Sequence, residues 1–239
     1  MAGHSKWANI QHRKNRQDEK RGALFTRLIR EITMAARLGG KDIDSNPRLR
    51  LAVDKAYSGN VSKDTVERAI KRGAGGTEDM DTEEIRYEGY GPSGVAIMVD
   101  CITNNRNRTV AEVRHVFTKC GGNLGTEGSV AYLFQKRGQM TFAPGQSEEK
   151  ITEIALEGNA EDVVTNEDGS IDVFMSPDEF SSLKDLFIQH QLVPDYAEVT
   201  LMPSTYVDLD AESEEKMQKL VDMLDDLDDV QTVSHNGNF

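Results

Sequence analysis

A run of cations around the only tryptophan is the part of this sequence best suited to chemistry with a ligand. Lysine and arginine side chains contact phosphates, and an aromatic ring among them stacks on unpaired bases. Asp18 and Glu19 are too few to neutralise the run, so we predict a nucleic-acid contact surface there. The alternative is that the tryptophan anchors a helical core and the cations line a solvated helix face. The predicted contacts in this region are Lys6, Trp7, Arg13, Lys14, Arg16, Lys20, Arg21 and Arg27.

A second cationic cluster lies at residues 104–109, where a predicted strand is followed by a predicted helix. Asn amides and Arg guanidiniums at such a junction present several N–H donors to a phosphate, helped by the positive end of the helix. The predicted contacts of this cluster are Arg106 and Arg108, and Lys71 and Arg72 complete the predicted surface. The alternative is that the Asn side chains cap the helix and the arginines pair with acids of the same domain.

Patterns typical of catalysis and metal binding are missing from the sequence. It contains no HExxH, Walker A or GxGxxG pattern, and its serines lack a nucleophile elbow. Residues 166–169 resemble part of a calcium loop, but Asp-Gly between two strand patterns favours a hairpin turn. Acids at 225, 226, 228 and 229 end a predicted helix with the wrong sign for its dipole, which favours a solvated acidic surface or a protein contact. We therefore predict a protein without catalytic residues, metal or cofactor.

The charge of the chain is divided unevenly along its length. The net charge is −13, yet residues 1–76 contain 17 Lys and Arg against 8 Asp and Glu, and the remainder contains 11 against 33. Such a division attracts polyanions to the first part and repels them from most of the second. No long apolar run or signal peptide is present, so we expect a cytoplasmic protein that does not enter membranes. Cys101 and Cys120 are predicted to be reduced and at least partly buried.

Three short helices are predicted in the basic part. Apolar residues recur at helical spacing from residue 24 until Gly39. The second helix begins after Asn46 as N-cap and ends at Gly59, and the third has Ser62 as N-cap and ends at Gly73. Residues 73–77 are predicted to form a flexible linker, because they are rich in glycine and an acidic run follows.

Beyond the linker the apolar pattern changes to that of an α+β protein. Residues 85–102 predict a hairpin, and they are followed by a helix at 108–119 and a strand at 130–134. Residues 139–202 contain a complete strand-helix-strand-strand-helix-strand series, which is the ferredoxin-like order. The strand, helix and strand near the C-terminus supply the elements that residues 85–134 lack for a second α+β unit of this type. The predicted domains are therefore a three-helix domain at 1–76 and two ferredoxin-like α+β domains, one at 77–135 plus 204–239 and the other inserted at 136–203.

Several ordered motifs resemble the YebC family of probable transcriptional regulatory proteins over nearly the whole chain. These motifs are Ala2–Ile10 (AGHSKWANI), Lys20–Gly22 (KRG), Asn46–Arg50 (NPRLR), Glu67–Gly73 (ERAIKRG), Tyr87–Pro92 (YEGYGP), Asn105–Thr109 (NRNRT) and Gly121–Gly125 (GGNLG). The resemblance implies a helical N-terminal domain followed by two α+β domains. It also implies a DNA-binding transcriptional regulator, although mitochondrial relatives are translational activators and some bacterial ones relieve stalled ribosomes.

The residues and the resemblance together predict a non-enzymatic regulator of gene expression that binds DNA through its basic N-terminal domain. The alternative is a translation factor that binds ribosomal or transfer RNA, with the acidic domains contacting a protein partner. The sequence indicates no particular oligomeric state.

Overall fold

A computed structural model describes residues 21–75 and 82–238 of the chain, with side chains from Leu24 onward. Its contacts group these residues into two compact units. One unit comprises residues 134–202, and the other comprises residues 21–133 together with 203–238. The architecture is α+β, as the sequence predicts, and the second unit is interrupted in sequence by the first. The precise three-domain boundaries stay a prediction.

Three α-helices form the basic part of the larger unit. They are α1 (Arg21–Gly39), α2 (Pro47–Ser58) and α3 (Lys63–Gly75). Their shared core consists of small and branched residues, with Ile32, Leu49 and Ala56 fully buried. The predicted N-cap Asn46 is confirmed, because its side-chain oxygen accepts the backbone N–H of Leu49 at 3.1 Å. Its amide also donates to the carbonyls of Ala35 and Gly40 at 2.9 and 2.8 Å, which fixes the end of α1 against the start of α2.

The prediction that Gly73 ends the third helix is wrong. The helix α3 continues to Gly75, so the first residues of the predicted linker are helical. Gly73 instead lies against α1, where a Cβ would come within 2.1 Å of the carbonyl oxygen of Thr33. A glycine at this position permits close packing of two helices, and the sequence pattern alone does not distinguish that use from a helix stop.

A four-stranded antiparallel sheet forms the α+β part of the same unit. Its strands, in spatial order, are β3 (Asn123–Leu124), β1 (Glu83–Tyr90), β2 (Ala96–Thr103) and β9 (Val230–His235). The helices α4 (Arg106–Lys119) and α7 (Ala211–Asp225) contribute Val113, Phe117 and Leu220 to a core against Ile97 and Val99 of β2. The four strands lie side by side in the ferredoxin-like order. Their order along the chain differs, because β1 occupies the place in the sheet that the third strand of a ferredoxin-like chain takes. A short parallel pair, β8 (Val207–Asp208) and β10 (Gly237–Asn238), completes this part.

The predicted strand at residues 130–134 is wrong. Residues 131–133 form a 3-10 turn, and a strand begins only at Phe134. The cause is the buried carboxylate of Glu88 on β1, which accepts the backbone N–H groups of Gly128, Val130 and Ala131 at 2.8 Å each. Burial alone would raise the pKa of Glu88, but these three donors lower it below its ordinary value. The carboxylate therefore takes the N–H groups that a strand would have paired with a neighbour.

The unit of residues 134–202 has the complete ferredoxin-like series that the sequence predicts. Its strands and helices are β4 (Phe134–Phe142), α5 (Glu148–Glu157), β5 (Asp162–Thr165), β6 (Ile171–Met175), α6 (Phe180–Gln189) and β7 (Tyr196–Pro203). The strand order is β5-β6-β4-β7, and β5 pairs antiparallel with β6. The predicted hairpin turn at residues 166–169 joins these two strands, with Gly169 at a φ of +80°. Phe142 and Phe187 pack at 4.8 Å between ring centres in its core.

Candidate nucleic-acid interface

Two arginines of α1, Arg27 and Arg30, contact the end of α7. Arg27 donates to the carbonyl oxygen of Asp225, and Arg30 donates to the carbonyl oxygen of Asp228. Arg30 also bonds the carboxylate of Asp229 at 3.0 Å. These contacts lie between residues nearly 200 positions apart in the chain, and they join the helical part to the α+β part of the same unit.

The same contacts place two cations at the acidic end of α7. A helix C-terminus presents unpaired carbonyl groups and a partial negative charge, so four aspartates there are unfavourable without cations. Arg27 and Arg30 supply those cations and occupy carbonyl groups of the turn. Of these four aspartates, Asp229 is bonded by an arginine of α1 through its carboxylate, whereas Asp226 and Asp228 are exposed, as the solvated-surface alternative predicts.

Asp229 is the centre of this contact and is only 2 % exposed. Its carboxylate accepts bonds from Arg108 at 2.6 Å, Thr109 at 2.8 Å and Thr103 at 3.1 Å, besides the bond from Arg30. Burial alone would raise the pKa of Asp229, yet hydrogen bonds from Arg108 and the two threonines lower it below its ordinary value. The carboxylate is therefore held in its charged form, and it joins Arg30 of α1 to Arg108 of the second predicted cluster.

Other arginines of the helical part also have partners inside the chain. Arg48 bonds Glu31 at 2.7 Å and Glu84. Burial alone would lower the pKa of Arg48, and these two carboxylates raise it well above its ordinary value. Arg37 donates to the carbonyl of Thr82 at 2.8 Å, so both arginines stabilise the start of β1 against the helices.

Among the described side chains of the helical part, three cations stay available for a ligand. Lys41, Lys71 and Arg72 are exposed and have no hydrogen bond or ion pair with any residue in the described parts of the chain. On the same helix, by contrast, Lys63 pairs with Glu67 at 3.8 Å and Arg68 pairs with Asp64 at 3.0 Å. Unneutralised charge is thus concentrated at the C-terminal ends of α1 and α3.

An open groove of about 580 Å³ lies between these two helix ends. Its apolar lining comes from Ala36, Ile70 and Ala74, and its cations are Arg37, Lys41 and Lys71, against the single acid Glu67. Lys41 was not among the predicted contacts. The sequence does indicate that Lys41 lies beyond the end of a helix, because it directly follows Gly39-Gly40. The groove itself depends on how α1 and α3 pack, which the sequence does not indicate. Such a groove suits an anionic ligand that also has an apolar surface.

The predicted contacts are distributed unequally. Lys71, Arg72 and Arg106 are exposed, whereas the guanidiniums of Arg27 and Arg108 have partners within the chain. Asn105 caps α4 through the backbone N–H of Arg108 at 3.0 Å, as the alternative for the second cluster predicts. The remaining predicted contacts fall at positions whose side chains lie outside the described residues, and they stay predictions. They are Lys6, Trp7, Arg13, Lys14, Arg16, Lys20 and Arg21.

Other kinds of site have less support in the described part of the chain. Residues 24–75 and 82–238 contain no group of three His, Cys, Asp or Glu side chains that could hold a metal ion. No helix described in the structure has the length and apolar character needed to cross a bilayer. Cys101 and Cys120 are free thiols and buried, as predicted, and burial raises the pKa of Cys101 to about 12. Such a thiol is a poor nucleophile.

A three-helix part is followed by two ferredoxin-like units, and the sequence of one interrupts the sequence of the other. This order of elements defines a class of α+β protein, and comparison with protein families identifies that class. Residues 5–76 match the TACO1/YebC protein N-terminal domain, and residues 82–237 match the TACO1/YebC second and third domain. The chain belongs to the TACO1/YebC family, as its motifs predict.

Individual relatives agree over the whole length. A probable transcriptional regulatory protein of Coxiella burnetii (strain Dugway 5J108-111) is 64% identical over all of this chain and 98% of its own length. A protein of the same name from Francisella tularensis subsp. novicida is 61% identical and is covered over 96% of its length. Among solved structures, a conserved hypothetical protein from Aquifex aeolicus matches with a TM-score of 0.81 and 45% identity, over 91% of this chain and 90% of that one.

Proposed function

We propose that this chain is a non-enzymatic regulator of gene expression, acting in the cytoplasm, that binds the phosphates of DNA through its basic N-terminal part. The names of its relatives support the regulatory role. The observation that carries the proposal is the groove between α1 and α3, where Lys41 and Lys71 have no acidic partner among the described residues. The N-terminal cations from Lys6 to Arg21 extend the same excess of positive charge in sequence.

Binding follows from electrostatics rather than from a covalent step. Each phosphate that a lysine or arginine neutralises releases condensed counterions, and this release favours the complex at low salt. Lys71, Arg72 and Arg106 are exposed and contact phosphates without losing a partner. Arg27 and Arg108 reach phosphates only through the N–H groups that their bonds to Asp225 and Asp229 leave free. We assign these two arginines a smaller share of the affinity.

The alternative, an RNA- or ribosome-associated translation factor, is favoured by the shape of the candidate site. Two of the available cations, Lys41 and Lys71, line a groove and not a protruding helix that could enter a DNA major groove. Such a site distinguishes phosphates and shape better than base sequence. Co-sedimentation with ribosomes, measured beside duplex-DNA binding on the same preparation, separates the two. Ribosome association with only weak, sequence-independent DNA binding favours the RNA target.

The test of the proposal compares two double variants of α3. Lys71→Ala/Arg72→Ala removes two available cations, and Lys63→Ala/Arg68→Ala removes two cations already paired with Glu67 and Asp64. The slope of log affinity against log salt is negative for duplex DNA. We expect the first variant to make it shallower by about 2, since each lost phosphate contact removes about 0.9 from its magnitude. The second variant should change that slope little. Equal slopes in both variants would contradict a contact surface at this groove.

A further inference from the structure

The groove between the ends of α1 and α3 has one wall made by a single face of α3. Glu67, Ile70, Lys71 and Ala74 all line it. Their spacing is i, i+3, i+4 and i+7, which places the four side chains on the same side of the helix. The facing wall is the last turn of α1, where Ala36 lines the groove. The groove is thus built by two regular elements and not by a loop.

The floor of the groove is apolar. It is made by Ala36, which is 1% exposed, together with the half-buried Ile70 and the exposed Ala74. Ile70 also packs against the core of the three helices, whereas Lys71, the next residue, is fully exposed. The burial therefore places the apolar side chains towards the core and the lysine at the rim. A ligand that enters the groove contacts both kinds of surface.

The two rim lysines, Lys41 and Lys71, keep their charge unpaired. Neither forms an ion pair with any residue of the described chain. The acids nearest to them have other partners. Glu67, one turn before Lys71, pairs with Lys63 at 3.8 Å. Asp42, next to Lys41 in sequence, accepts a hydroxyl and a backbone N–H of its own turn at 2.9 and 3.1 Å. The rim is therefore suited to bind phosphate.

The groove is open where its two glycines lie. Gly40 and Gly75 line it, and a Cβ at either position would meet no described atom within 4 Å. A chain molecule can therefore enter and leave there, which a closed pocket would prevent. Packed helices lie about 8–10 Å apart, and a groove on that scale admits one nucleic-acid strand but not a duplex.

We propose that this groove binds an unpaired stretch of nucleic acid, with a base or sugar against Ile70 and Ala74 and with phosphates on Lys41 and Lys71. The inference rests on the proposed function and specifies the form of nucleic acid that the groove accepts. A duplex hides the apolar faces of its bases in the stack and presents phosphates and sugars, so it meets only the rim lysines. An unpaired strand presents an apolar base face and a phosphate together. Single-stranded DNA and RNA share this chemistry.

The experiment uses the full chain with Ile70→Thr and the control variant Ile29→Thr. Both isoleucines are half-buried and pack against the same core, but Ile29 lies outside the lining of the groove. The probes are an oligouridylate RNA, an oligothymidylate DNA and a duplex DNA of equal length, each titrated over a series of salt concentrations.

We expect Ile70→Thr to weaken single-strand binding roughly four- to tenfold, since each methylene group lost from the contact changes affinity about fourfold. The salt slope should stay unchanged, because an apolar contact releases no counterions. Binding of the duplex should change less than about twofold, because a duplex does not reach the floor. The control should match the wild type with all three probes.

A second variant, Ala74→Gln, tests the same floor without touching the core. Ala74 is exposed and glutamine is a good helix former, so the fold should persist, and thermal melting checks this. The longer side chain occupies space in the groove and should lower single-strand affinity by about threefold or more, with the duplex little changed. Ala111→Gln, at an exposed position of α4, is its control.

The other outcomes separate this inference from the proposed function. Equal losses for single strands and duplex, or equal losses in a groove variant and its control, overturn the inference. Unchanged single-strand binding in both groove variants, when Lys71→Ala/Arg72→Ala does make the duplex salt slope shallower, overturns the inference and leaves the proposed function intact. A wild-type chain without salt-dependent binding of any probe removes both. A loss confined to the oligouridylate or to the oligothymidylate supports the inference and identifies RNA or single-stranded DNA as the source.

Discussion

The absence of a side chain at Gly73 determines how closely α1 and α3 approach. A Cβ at Gly73 would lie 2.1 Å from the carbonyl oxygen of Thr33 and 3.0 Å from Cβ of Ala36. A backbone carbonyl cannot rotate away from such a clash as the end of a flexible side chain can. Gly73 therefore places α3 directly on α1, and Lys71 of α3 lines the same groove as Lys41, which follows the end of α1.

We expect Gly73→Ala to lower the free energy of unfolding by about 1–3 kcal/mol, the usual cost of overpacking a close contact. Alanine in a helix interior ordinarily stabilises relative to glycine by up to about 1 kcal/mol, so the sign of the effect is diagnostic. Gly75→Ala is the matched control, because its Cβ would meet no described atom within 4 Å. Urea unfolding measures both. A stabilising or neutral Gly73→Ala would show that the helices separate at no cost.

At the scale of elements, the turn between α7 and β9 depends on one buried carboxylate. Asp229 accepts hydrogen bonds from Thr103 at the end of β2 and from Arg108 and Thr109 in the first turn of α4. The turn is thus bonded to a strand end and a helix start at once. An amide at this position keeps one acceptor oxygen but replaces the other with an NH2 donor, so some of these donors lose their acceptor, and unsatisfied buried groups are costly.

We expect Asp229→Asn to lower the free energy of unfolding by roughly 2–4 kcal/mol near neutral pH. Because the folded chain lowers the pKa of Asp229, its stabilising effect is present above the unfolded pKa of about 3.9 and is lost as pH falls through the folded value. The difference in stability between wild type and variant should therefore shrink below about pH 4. Denaturant unfolding at a series of pH values measures it, with the exposed Asp64→Asn as control. A difference independent of pH would contradict a charged Asp229.

Local signals predict the elements of this fold better than distant contacts do. Asn46 and Asn105 are predictable caps because a cap needs only its own helix, and the ferredoxin-like series of residues 139–202 is visible from apolar spacing alone. The error at residues 130–134 has a distant cause, since Glu88 on β1 binds the backbone there from 40 or more positions away. The position of β1 in its sheet likewise depends on distant contacts. It is fixed by pairing with β2 and β3 and not by a local sequence pattern.

At the scale of the whole molecule, the summed charge of a segment overstates the charge that a ligand meets. Counting lysines and arginines predicts a basic N-terminal part, but it treats Arg27 and Arg30 like Lys71. The structure pairs the first two with residues of the α7–β9 turn nearly 200 positions away. No sequence pattern indicates such a pairing. The contact surface therefore stays a prediction, and the structure shows that its described members differ in whether they already have a partner within the chain.

The pairing also predicts how the larger unit loses its order. Arg27 and Arg30 attach α1 to the end of α7, so their removal should weaken the helical part more than the sheet. We expect Arg27→Ala/Arg30→Ala to speed amide hydrogen exchange in α1–α3 roughly tenfold, equivalent to about 1.4 kcal/mol of local opening, with β1 and β2 little changed. Lys71→Ala/Arg72→Ala removes the same charge without removing a contact and should leave exchange unaltered. If both variants speed exchange equally, net charge rather than attachment to α7 controls the stability of the helices.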